Sequence, residues 1–198
     1  MRKILFTFLF LSLLTPVGLA HNESALAEQQ RCVLIQIKLR GILEPMGTGF
    51  VERTGVVITN AHIFSDSRLK RVSDLNSIIF VDGQSARIIR EDRKLDIVVL
   101  ATKTAAFEPA VLDEDEAVLD DEVVAVVNTR TKRRQVSAGR VIGVDANYIY
   151  TSTYCDLGTS GSPVFRNGKL LGIQRGYTER THQTVVIPAR VLKKLLQT

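Results

Sequence analysis

Histidine is scarce in this chain, at His21, His62 and His182 only, and cysteine is scarcer still, at Cys32 and Cys155. The two types form no cluster with metal-ligand spacing, so neither a metal nor another cofactor is expected. Beyond residue 20 no segment is apolar enough to supply the roughly 20 residues of a membrane helix. Charge of one sign is not in large excess. The formal net charge is +5, and Arg2 and Lys3 are the only charged residues among the first 20, so without that stretch it is +3. So mild an excess gives no reason to expect a nucleic acid partner. Internal repeats and low-complexity segments are absent, which leaves one compact domain or two small packed ones.

What is there begins with an export signal. Arg2 and Lys3 precede an apolar run, Ile4 to Leu14, broken only by Thr7 and Ser12; Pro16 and Gly18 then lead to Ala20. A basic start, a short apolar core and small residues describe a signal peptide over 1–20, with Ala25-Leu26-Ala27 offering a second cut after residue 27. An uncleaved anchor is the alternative. Export places the mature chain in the periplasm or outside the cell, where Cys32 and Cys155 are permitted to pair. Their different surroundings point to separate roles, and the pairing stays open.

The mature chain reads as mostly β. Short β-branched and apolar runs recur between turn residues: Val33–Ile37, Gly49–Thr59, Ser77–Val81, Ala86–Ile89, Ile97–Leu100, Val123–Val127, Ala138–Val144, Tyr148–Thr151, Pro163–Phe165, Leu170–Gln174 and Gln183–Ile187. Strands at this spacing predict a sandwich or barrel. Asn167-Gly168 and Asp82-Gly83 are hairpin turns in type. Residues 106–120, with Pro109 and the acidic tract Asp113 to Glu116, read as a solvated connection between a first β unit over 33–105 and a second over 121–198. Val191, Leu192, Leu195 and Leu196 then recur at helical spacing, with Pro188 suited to the first turn of a short terminal helix. Arg130, Lys132, Arg133 and Arg134 crowd a hairpin tip, which reads as a solvated loop or as a contact for an acidic partner.

Three positions carry chemistry. Ser160, in Gly158-Thr159-Ser160-Gly161-Ser162-Pro163, lies between glycines that let the backbone approach a substrate and offer N–H groups to an oxyanion. His62 follows the strand end Val56-Val57-Ile58-Thr59-Asn60-Ala61, a rigid placement for a general base. Asp96 immediately precedes Ile97-Val98-Val99-Leu100. A buried carboxylate needs a partner, and a histidine Nδ1–H would supply one while fixing the ring. The order His, Asp, Ser differs from that of subtilisin-like and α/β-hydrolase enzymes.

With these residues in place, Thr59-Asn60-Ala61-His62, Leu95 to Leu100 and Gly158 to Pro163 resemble the three blocks of trypsin-like serine peptidases. Gly47-Thr48-Gly49-Phe50-Val51 is similar to the strand entering the histidine block of bacterial Deg-type proteases. Ser162 completes a Gly-x-Ser-Gly-Ser-Pro form that resembles glutamyl endopeptidases. The resemblance implies an all-β chymotrypsin fold, with two six-stranded antiparallel β-barrels, a short C-terminal helix and the site in the cleft between them. It implies a triad of His62, Asp96 and Ser160, an oxyanion hole from the N–H groups of Gly158 and Ser160, and a substrate pocket lined by Tyr154, Cys155 and the Gln174–Tyr177 strand, with Gln174 and Gly176 its substrate-binding residues. Glutamyl endopeptidases carry histidine and threonine where Gln174 and Cys155 stand, and Tyr154 supplies no acid to select Arg or Lys. An uncharged, small or aliphatic residue before the cut is therefore expected. Thr159 replaces the aspartate that in digestive relatives pairs with a freshly cut N-terminus, so that switch is expected to be absent. The expected function is an exported serine endopeptidase acting on proteins or peptides through an acyl-enzyme; the alternative is a catalytically silent binding module that keeps the fold.

Overall fold

Alternation and apolar runs close here into two barrels. A computed structural model of the chain describes residues 28–65, 69, 75–129 and 131–196. The stretch 1–20 expected to be an export signal, its alternative cut after 27, and Arg130 lie outside the described residues. The first barrel holds β1 (Cys32–Leu39), β2 (Ile42–Arg53), β3 (Val56–Thr59), β4 (Ile79–Val81), β5 (Gln84–Asp92) and β6 (Ile97–Thr102). The second holds β7 (Glu122–Val127), β8 (Gln135–Val144), β9 (Ile149–Thr151), β10 (Pro163–Arg166), β11 (Lys169–Tyr177) and β12 (Thr184–Pro188). These strands pair antiparallel with their neighbours, closing in the orders β1-β2-β3-β6-β5-β4 and β10-β11-β12-β9-β8-β7. Helix α1 (Ala189–Leu196) follows.

The run expected over Gly49–Thr59 is two strands, because Gly55 at φ +77 turns the chain between them. Asp82-Gly83 and Asn167-Gly168 have positive φ at both residues, as a type I′ hairpin requires. Arg40-Gly41 makes a third such turn, unread in the sequence because arginine is a poor cue for φ > 0. Pro188 ends β12 and lies just before α1 rather than within its first turn.

Each barrel has its own apolar interior, built around Ile35, Val57 and Leu100 in the first and Val123, Val141 and Leu171 in the second. A third cluster joins them. Phe50, Ile58 and Ile97 of the first barrel pack with Phe165, Ile173 and Ile187 of the second and with Leu192 of α1. The Phe50 and Phe165 rings meet edge to face at 5.8 Å. This shared core fixes the cleft, since opening it would expose fully buried side chains at about 25 cal/mol per Å².

Polar contacts reinforce that union. Asn128 Nδ2 donates to the Val33 carbonyl at 3.0 Å, and Arg134 Nε donates to the Cys32 carbonyl at 3.0 Å. Arg133 pairs with Asp82 in the β4–β5 turn. Two of the basic residues expected in a solvated loop thus bind the other barrel. The connecting segment is likewise less solvated than its composition indicated. Asp113 is buried against Arg166, with Nε at 2.7 Å and Nη2 at 2.9 Å, and Leu112 bridges to Leu170. Both cysteines are free: Cys32 is buried between the barrels and Cys155 lies at the cleft.

Candidate active site in the cleft between the barrels

His62 and Asp96 come from the first barrel and Ser160 from the second. His62 opens a 3-10 turn, His62–Phe64, directly after β3, and the burial of Ile63 and Phe64 anchors that turn to the core. Asp96 sits just before β6 with φ +60, a left-handed conformation that aspartate tolerates better than most residues. Its carbonyl accepts from Asn60 Nδ2 at 3.1 Å and from the Ala61 N–H at 3.2 Å, which hold the strained residue in place. Asn60 is fully buried, a positioning role that its motif did not disclose.

The three side chains form one line. His62 Nδ1 lies 2.8 Å from Asp96 Oδ2, and Nε2 lies 2.9 Å from Ser160 Oγ. Asp96 Oδ1 also accepts the His62 backbone N–H at 2.8 Å, so one carboxylate grips both the ring and the main chain. An ionised carboxylate only accepts, so Nδ1 carries the proton and Nε2 is left to receive one from serine. Arg175 Nε donates to the same Oδ2 at 3.0 Å. Burial pushes the Asp96 pKa up, but the hydrogen bonds and charge of His62, with the charge of Arg175, outweigh it and hold the carboxyl below its usual range.

A stability consequence follows with a definite sign. The folded Asp96 value is below the unfolded one, about 3.9, so ionised Asp96 contributes fully above that pH. The contribution disappears as pH falls through the folded value. Melting temperatures of wild type and Asp96→Asn, measured from pH 6 to pH 2, are expected to differ most at the upper end and to converge below about pH 4.

The nucleophile loop is pinned to β2. The Thr48 N–H donates to the Ser160 carbonyl at 2.8 Å, and Thr48 Oγ1 donates to the Gly158 carbonyl at 2.8 Å. Thr59 Oγ1 in turn donates to the Thr48 carbonyl at 2.6 Å. Gly161, at φ +86, passes so close that a Cβ there would lie 2.0 Å from the Thr48 oxygen. Gly158 turns at φ +100. Thr159 is fully buried and closes its own turn: Oγ1 donates to the Asp156 carbonyl at 2.8 Å and accepts the Asp156 N–H at 3.1 Å. These bonds stand where digestive relatives are expected to use an ion pair.

Of the expected pocket residues, Cys155 and Gly176 line the cleft beside Ser160. Gln174 is fully buried behind them, with Nε2 donating to the Tyr154 carbonyl at 3.1 Å and to Thr153 Oγ1 at 3.2 Å. The Tyr154 ring is half exposed and its hydroxyl bonds Asp156 Oδ2 at 3.0 Å. Met46, Ile63, Leu157 and Tyr177 add apolar wall, and Arg175 adds a cation. Arg175 and Tyr177 belong to the strand expected to line the pocket, whereas Met46, Ile63 and Leu157 were missed because none belongs to a motif that marks it for the cleft. Burial pushes the Cys155 thiol up, so it stands in the cleft as a protonated thiol and Ser160 is the better-activated nucleophile.

Two β-barrels with aspartate, histidine and serine bonded in line across their cleft define a serine peptidase of the chymotrypsin type. The chain belongs to the trypsin-like peptidase domain family, whose model matches residues 47–173. Among solved structures it is similar to the Rv3671c protease of M. tuberculosis in its active form, at 20% identity and a TM-score of 0.72, over 98% of this chain and 93% of that one. It is also similar to Deg5, at 19% identity and a TM-score of 0.72, over 91% and 94%. No curated protein sequence matches the chain.

Proposed function

We infer that this protein is an exported serine endopeptidase that cleaves proteins or peptides through an acyl-enzyme. The observation that carries the reading is the unbroken line from Asp96 through His62 to Ser160, at 2.8 and 2.9 Å. Ser160 Oγ attacks the peptide carbonyl carbon while its proton passes to His62 Nε2. The oxyanion is received by the N–H groups of Gly158 and Ser160, in a loop held in shape by Thr48 and Thr159. The imidazolium, paired with Asp96, gives its proton to the leaving amine. Water, deprotonated by the same nitrogen, then hydrolyses the ester and restores Ser160 Oγ–H. Export rests on the basic, apolar and small-residue order of residues 1–20. Among the described residues no helix is long and apolar enough to cross a membrane.

The pocket favours a small or aliphatic uncharged residue before the cut. The Gln174 side chain closes the space behind Cys155, and neither residue offers a charge to pair with Glu, Arg or Lys. A peptide-library digest tests activity and pocket together. Wild type is expected to cut after residues such as Ala or Val, and folded Ser160→Ala to cut nothing. Predominant cleavage after charged residues would refute the pocket assignment, and digestion by Ser160→Ala equal to wild type would refute the serine mechanism.

A further inference from the structure

β11 pairs with β10 only as far as Ile173; beyond it the cleft-side edge from Arg175 to Tyr177 meets no strand among the described residues, while the other edge continues along β12. An open strand edge beside a nucleophile is a place for an extended peptide to lie as an added strand. The register with β12 slips between Gln174 and Gly176, leaving Arg175 as the extra residue. A bulge of this kind re-aims a side chain. Here it sends Arg175 to Asp96 Oδ2, 3.0 Å from Nε, with its guanidinium carbon 5.6 Å from the centre of the Tyr148 ring. Although held on two sides, the side chain is 47% exposed and lines the same cleft as His62 and Ser160. Among the described residues only Nε has a hydrogen-bond partner, so the N–H groups of both Nη atoms are uncommitted. A fixed guanidinium with an open outer edge is the partner that a carboxylate takes bidentately.

We propose that Arg175 determines specificity by selecting substrates with Asp or Glu at one of the second to fourth positions before the cleaved bond. The proposal rests on the peptidase reading above. The residue directly before the bond lies against Cys155 and is a separate determinant. Asp156 and Glu179 also line the cleft, so a substrate carboxylate gains only at the position nearest Arg175 and is disfavoured elsewhere.

The test uses acetylated tetrapeptides on a fluorogenic amine. The residue directly before the bond is taken from the library digest, and each of the three preceding positions carries Glu or Gln in otherwise identical peptides. At one position wild type is expected to show a Glu-to-Gln ratio in kcat/KM of at least about tenfold, the scale of one charge-assisted hydrogen bond. Arg175→Gln should bring that ratio near one, and Arg175→Lys should keep part of it. Because the ratio is internal to each variant, a general loss of activity cancels. A wild-type ratio near one at every position, or an unchanged ratio in Arg175→Gln, overturns the proposal. Fluorophosphonate titration of the same samples separates the two levels. Labelled, active enzyme with a flat ratio refutes the selection alone, whereas folded wild type that neither labels nor cleaves refutes the peptidase reading beneath it.

Discussion

Asp96→Asn is expected to lower kcat by about 10⁴-fold while the barrels stay folded, the scale seen when a triad aspartate loses its charge. Asp96 is buried, and both of its oxygens accept: Oδ1 from the His62 main chain, Oδ2 from Nδ1 and from Arg175. An asparagine has one acceptor and one donor where these three donors converge. With its amide nitrogen toward Nδ1, the ring must carry its proton on Nε2 and can no longer take one from Ser160. With its nitrogen toward the main chain, two N–H groups face each other and the loop is pushed away. Either way the imidazolium loses its counter-charge. Steady-state kinetics on a cleaved peptide, with circular dichroism as the fold control, checks this. A fall of less than tenfold would mean that Asp96 does not orient the base.

The second large effect is expected in stability and lies outside the cleft. Arg166, at the end of β10, is the clamp on the segment between the barrels. Its Nε and Nη2 hold Asp113, Nη1 bonds the Glu116 carbonyl at 3.0 Å, and Asp121 pairs with it as well. Arg166→Met leaves the buried Asp113 carboxylate without its cation, which costs about 3–5 kcal/mol in comparable buried pairs. The melting temperature should fall on the order of 10 °C for a domain of this size. Combining Arg166→Met with Asp113→Leu should recover most of the loss, because the apolar replacement removes the orphaned charge along with its partner. Melting curves of wild type, both single variants and the double variant decide it. A single variant within about 1 °C of wild type would show that the clamp contributes nothing net.

These two sites also mark how far the sequence was legible. His62, Asp96 and Ser160 could be read because each is declared locally, by a strand end, by a carboxylate ahead of four apolar residues and by flanking glycines. Strand runs and the Asp-Gly and Asn-Gly turns, whose backbone needs are written in residue type, reached only as far as a sandwich or barrel; the division into two six-stranded barrels came from the family resemblance. Arg166 and Asp113 were not legible as a pair, since 53 positions separate them and an acidic tract looks solvated until a fold buries one member. Arg175 lies in the strand expected to line the pocket, but its contact with Asp96 was hidden for a similar reason: it spans 79 positions and depends on a bulge, which period-2 reading does not register. Gln174 was read as lining the pocket, but strand alternation turns its side chain inward, and the cleft surface there belongs to Cys155, Arg175 and Gly176.

The most direct test of the central claim is to map where a fluorophosphonate attaches. The probe transfers its phosphonyl group to an activated serine oxygen and releases fluoride, so it reports on nucleophile and base together. Intact-mass and peptide-mapping spectra of wild type are expected to show one adduct, on Ser160. No adduct should form on Ser160→Ala, and on His62→Ala labelling should be slower by orders of magnitude. Folded wild type that stays unlabelled, or an adduct on any residue other than Ser160, would contradict the account.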